Sequence, residues 1–159
     1  MWLFVRLLVA AVLASLLGAC GAGPRLVEVA PGTTLDQRMT VSAALMAWNE
    51  VARAELGYDV FVPGEGDVTI WFGVGARGLH CKASSLGCAH VGGSDVWLEW
   101  DRMYEAERFP VAVHELGHVL GLRDREGSDG IMADFMTDLA VEFSLTDRTN
   151  LRLASEGRE

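Results

Sequence analysis

Apolar positions along the chain change their period several times, and each change marks an element. Residues 25–30 (Arg-Leu-Val-Glu-Val-Ala) partly alternate and are β-branched in character, which predicts a first strand stopped by Pro31-Gly32. From 40 to 56 the apolar residues Val41, Ala44, Leu45, Trp48, Ala52 and Leu56 recur at spacings of three and four. That is the buried stripe of an amphipathic helix, with Thr40 as its cap and Gly57 as its stop. Residues 67–72 and 94–100 read as further strands separated by a Gly-rich stretch. Pro110 suits the first turn of a helix that runs to Leu120 and ends at Gly121, and a last helix capped by Thr146 closes the chain. No repeat or interior linker interrupts this order, so residues 25–156 are expected to form one domain.

The first 19 residues follow a different rule. Sixteen are apolar, the exceptions being Arg6, Ser15 and Gly18. A short basic start followed by an apolar run over 7–17 fits a secretory signal, and the run is shorter than the about 20 residues a spanning helix needs. It ends in Leu17-Gly18-Ala19-Cys20, which resembles the lipobox of bacterial lipoproteins. The resemblance implies cleavage before Cys20, acylation of its sulfur with palmitate-type chains, and a tether over 20–24. It places the protein in the bacterial cell envelope, bound to the membrane by its lipid. Gly21 instead of Asp after the cysteine points to the outer membrane. More than one acyl chain makes such an anchor stable. With Cys20 lipidated, Cys81 and Cys88 remain as an even pair in an oxidising compartment, which implies a disulfide, two free thiols being the alternative.

Charge narrows the partners. The chain carries a formal charge of −9, and without Arg6 and the rest of residues 1–19 it keeps 12 basic against 22 acidic side chains. Such a surface repels phosphate backbones, so no nucleic-acid partner is expected. Glu99, Asp101, Glu105 and Glu107 read as a solvated acidic face, because they lack the spacing of a calcium loop.

The chemistry lies in residues 114–124, His-Glu-Leu-Gly-His-Val-Leu-Gly-Leu-Arg-Asp. Four residues apart on a helix, His114 and His118 share a face and can reach one tetrahedral Zn²⁺. Glu115 lies beside them, placed to accept a proton from a metal-bound water without being a ligand. Gly121 lets the backbone leave the helix with positive φ, and the turn brings Asp124 round as a third ligand. Two glycines in this helix argue against a role in stability alone.

These residues resemble the metzincin zinc signature in its Asp-ended form, as in snapalysin-like bacterial peptidases. Gly130-Ile131-Met132-Ala133 is similar to the family's Met-turn, which implies that Met132 packs beneath the histidines. The likeness extends to the matrixin-type branch through the helix around Trp48, Gly66-Asp67-Val68-Thr69-Ile70 and Leu145-Thr146-Asp147. It implies an α+β fold: a twisted, mixed, mostly parallel sheet with two long helices and a C-terminal helix, and a lower lobe after Gly121. In that branch Cys88-Ala89-His90-Val91 corresponds to the antiparallel edge strand on which a peptide substrate is laid as an added strand. Residues after Met132, such as Asp134, Phe135 and Met136, would wall the specificity pocket.

The departures from the family also matter. Asp124 replaces the more common third histidine and hardens the ligand set. No cysteine-bearing propeptide is visible. Trp97 stands where the structural zinc site would need a histidine, so a single catalytic zinc ion is expected. A second site from His80, His90 and Asp95 has no supporting ligand spacing. The expectation is a monomeric zinc endopeptidase acting on peptides or proteins. The alternative is a catalytically inactive, lipid-anchored zinc module that binds peptides or envelope proteins; Glu115 beside the first ligand favours chemistry.

Overall fold

The computed structural model describes residues 23–73, 82, 84–126, 129–133 and 141–157. Its elements are β1 (Arg25–Val29), α1 (Leu35–Glu55), β2 (Phe61–Pro63), β3 (Val68–Phe72), β4 (Gly87–Ala89), β5 (Asp95–Leu98), a 3-10 turn (Trp100–Arg102), α2 (Glu105–Val119) and α3 (Leu145–Ser155). The sheet order is β2-β1-β3-β5-β4, parallel except for the last pair, so β4 is an antiparallel edge strand. This is the expected mixed sheet of an α+β domain, with α1 and α2 packed together over it. None of the described helices is long and apolar enough to cross a membrane.

Strands β1, β3 and β5 turn one side of each pleat inward, burying Val27, Val68, Ile70, Val96 and Leu98 against Val41, Leu45, Trp48, Val111 and Leu116 of the helices. On the opposite side Trp71 and Trp97 stack at 5.4 Å, and the Trp71 indole donates to Asp95 at 2.9 Å. Asp95 and Trp97 are therefore engaged with an aromatic pair. Among the described residues, the only cluster of three metal-ligand side chains is the one around His114. His80 lies outside the described residues.

Helix starts differ from the pattern-based expectation, and each difference is a matter of capping. α1 begins five residues before Thr40. Thr34 Oγ1 accepts the Gln37 amide at 3.2 Å while Gln37 Oε1 accepts the Thr34 amide at 2.8 Å, a reciprocal box that outweighs the exposed Leu35 and Met39. α2 begins at Glu105, where Glu107 caps the Tyr104 amide at 2.7 Å, so Pro110 falls inside the helix and not in its first turn. α3 is capped by Ser144 and not Thr146. β2 lies outside the pattern-based expectation: it is three residues long and ends in Pro63. It is pinned from α1 by Asn49, whose side chain donates to the Phe61 carbonyl and accepts from the Val60 and Phe61 amides at 2.8 to 3.0 Å. Glu99 does not belong to a solvated face. It is buried between the Leu86 carbonyl, which its amide reaches at 2.9 Å, and the 3-10 turn that folds back over it.

Candidate metal centre

Helix α2 presents His114 and His118 on one face, with ring centroids 4.8 Å apart and planes nearly perpendicular. It breaks at Gly121, whose φ of +94° is open to glycine and strained for other residues. The Gly121 amide caps the His118 carbonyl at 2.9 Å, and the chain doubles back. Asp124 Oδ1 then stands 3.0 Å from His114 Nε2 and 3.2 Å from His118 Nε2. Three donors bound tetrahedrally at about 2.0 to 2.1 Å would lie about 3.3 Å apart; the two imidazole–carboxylate spacings are of that size, and all three donor atoms lie within 4.8 Å of one another.

The far side of each imidazole settles its tautomer. His114 Nδ1–H donates to the Ile131 carbonyl at 2.7 Å, and His118 Nδ1–H to the Leu122 carbonyl at 2.8 Å. Both Nε2 lone pairs therefore point at the shared position, the arrangement a metal-binding histidine needs. In the metal-free chain burial pulls the proton affinity of both rings down, but the Asp124 carboxylate and the carbonyl partners outweigh it, and the net shift is upward. The same two imidazole contacts hold the Asp124 carboxyl well below the usual range. Protons and a divalent cation compete for this one set of atoms.

Glu115 is buried beside the cluster, under β4. A Cβ at Gly87 would stand 2.6 Å from the Glu115 carboxylate, so the edge strand can close over this group only because residue 87 has no side chain. Burial raises the Glu115 carboxyl to about 7, against the opposing pull of the two histidines and of the Ala89 amide. Ala89 is the last residue of β4, and Cys88 is buried within it. His90 and Val91 lie just beyond the paired strand, which starts one residue earlier than expected at Gly87. The turn that follows ties back to the ligand helix, since the Gly92 amide donates to the His118 carbonyl at 2.7 Å. Cys20, Cys81, Asp134, Phe135 and Met136 lie outside the described residues.

Met132 is buried, with its sulfur against Gly117 of α2. A Cβ at Gly117 would overlap its sulfur and come within 2.9 Å of Trp48, so Gly117 is where α1, α2 and the Met132 turn converge. Trp48 also donates its indole N–H to the Val113 carbonyl at 2.7 Å, one residue before His114. The packing roles of Gly87 and Gly117 and the Arg125–Asp147 pair depend on contacts remote in sequence. Of these, only Asp147 carries a local signal, the Ser144-x-x-Asp147 capping pattern. No curated protein matches the chain. The matrixin profile matches residues 28–152, which takes in the end of β1, strands β2 to β5, the His114–His118–Asp124 group, the Met132 turn and most of α3, and the chain belongs to the matrixin family of metallopeptidases.

Proposed function

We propose that the chain is a zinc endopeptidase in which Glu115 is the general base. The observation that carries this reading is the place of the Glu115 carboxylate, buried between the three-donor group and the edge strand β4. Zinc held by His114, His118 and Asp124 would supply Lewis acidity to the scissile carbonyl and the attacking water. The chain's own residues do the rest. A peptide added along β4, from Cys88 and Ala89 out to His90 and Val91, is held extended across α2 by backbone pairing. Glu115, its proton affinity lifted towards neutrality, takes a proton from the attacking water and passes it to the leaving amine. Met132 supports the histidines from below. The test compares wild type with Glu115→Ala for zinc content and for cleavage of a diverse peptide library. The variant should keep about one zinc per chain and lose roughly 10² to 10⁴ in turnover. Wild-type cleavage no faster than that of the variant would leave a zinc-containing binding module in its place.

We further propose that the domain is lipidated on Cys20, anchored in the bacterial envelope as a monomer, and stapled by a Cys81–Cys88 disulfide. The apolar run before Cys20 and the buried position of Cys88 on β4 support this. Intact mass of the membrane-extracted protein checks the acyl group, and alkylation with and without reductant checks the bond. An unacylated N-terminus elsewhere, or full alkylation without reductant, removes the respective claim.

A further inference from the structure

Asp147 is 0% exposed and sits at the start of α3, outside the donor group, yet the backbone around the third ligand converges on it. Arg125, the residue after Asp124, places its guanidinium 2.5 Å from Asp147 Oδ1. The second oxygen, Oδ2, accepts the Ile131 amide at 3.2 Å and the Ser144 amide and hydroxyl at 2.8 Å each. Ile131 is the residue whose carbonyl orients His114. A Cβ at Gly130 would overlap Asp147, so the turn before Ile131 is shaped around this carboxylate. The Arg125 amide in turn donates to the Met132 carbonyl at 3.0 Å, and Arg125 bridges to Ala133.

We propose that the Arg125–Asp147 pair is a positioning device for the metal site, fixing the backbone that carries Asp124 and, through Ile131, the ring of His114. Asp124 needs such help more than the histidines do. It follows the helix break by three residues, lies outside any helix or strand, and its carboxylate is half exposed. Its side chain is also short, so the donor oxygen follows every shift of its own backbone. Arg125 holds that backbone from the next position, its Nη2 reaching both Asp147 Oδ1 at 2.5 Å and Ser144 Oγ at 3.3 Å. The inference rests on the zinc site proposed above and adds residues that touch neither metal nor substrate.

The test uses the full chain. Zinc affinity is measured by competition with a chromogenic chelator, the visible spectrum is recorded with Co²⁺ in place of zinc, and melting is followed in the metal-free state. Arg125→Met should weaken zinc about 10- to 100-fold, the usual effect of losing a partner that orients a ligand, and should alter the Co²⁺ spectrum. Arg125→Lys should recover part of both, since it restores a positive charge towards Asp147 without the fixed guanidinium plane that places Nη2 between Asp147 and Ser144. Arg152→Met, which cuts a tie of α3 to Glu55 away from the site, should leave affinity and spectrum unchanged whatever it does to melting. Asp147→Asn should resemble Arg125→Met; should it not fold, the Arg125 series decides alone. Equal affinity and spectrum in Arg125→Met and wild type overturn the proposal while leaving the zinc site standing, as does an equal loss in Arg152→Met. A wild-type chain that holds no zinc overturns both.

Discussion

The two regions that meet at the metal centre are held by different forces. Above it, the sheet with α1 and α2 is joined by apolar burial: Val41, Leu45 and Trp48 from one helix, Val111, Leu116 and Val119 from the other, Ile70, Val96 and Leu98 from the strands. Below it, from Leu122 to α3, a few apolar anchors such as Ile131, Met132 and Leu151 are supplemented by a buried ion pair, a capping box and carbonyls aimed at imidazoles. Apolar packing tolerates small displacements, because its energy is spread over many weak contacts. Hydrogen bonds and ion pairs do not, because each is directional. The upper region supplies two candidate donors, His114 and His118, by helical period alone, whereas the lower one must bring the third, Asp124, into place by contacts remote in sequence.

The comparison is tested most severely by His118→Ala. Removing a helix-borne ligand should abolish zinc retention, read as metal per chain by elemental analysis, while the apolar scaffold stays folded. A variant that unfolds instead would mean that the upper region depends on the metal.

Glu115→Gln separates site from scaffold by a second route. In the metal-free chain the folded carboxyl ionises at about 7 against an ordinary 4.5, so its favourable contribution is present below 4.5 and lost as pH rises through 7. The neutral variant should therefore melt higher than wild type in chelator at about pH 8, and no higher at about pH 4.5. Turnover of its zinc form should fall by roughly 10² to 10⁴. Acid acts on the ligands themselves: as His114 and His118 take up protons zinc is released, so bound metal measured by dialysis should fall steadily below neutrality.

Gly117→Ala probes where the regions touch. The added methyl meets the Met132 sulfur and Trp48, and overpacking of this kind costs about 1 to 3 kcal/mol, measurable by denaturant unfolding. Zinc affinity should fall as well; unchanged affinity would show that Met132 and the histidines move independently. The smallest effect is expected for Ser144→Ala, which removes the side-chain cap of α3 at a cost of about 1 kcal/mol. Asp147 keeps Arg125 and the Ile131 amide in that variant, so zinc affinity should hold.

Much of the upper region could be read along the chain, because the interactions that build it are local or periodic. Val41, Ala44, Leu45 and Trp48 mark the α1 core face by spacing, and the alternation of Val68 and Ile70 marks β3. Helix starts do not follow from the apolar stripe where a cap lies outside it, as at Thr34, since polar boxes leave no hydrophobic period. β2 escaped notice because three residues cannot display a period, and its place depends on Asn49, twelve residues from Phe61.

For the centre itself, sequence alone determined the donors: a four-residue spacing on a helix puts His114 and His118 on one face, Glu115 follows the first, and Gly121 with Asp124 implies a turn back to them. Tertiary structure alone decided what surrounds those donors. The carbonyls of Ile131 and Leu122 choose the imidazole tautomers, Gly87 lets β4 close over Glu115, Gly117 admits Met132, and Asp147 fastens the residue after Asp124 from 22 positions away. The physical reason is range. Helical geometry relates neighbours in the chain through the backbone, while a carbonyl, a missing side chain or a buried carboxylate acts on whatever the fold brings within a few ångströms.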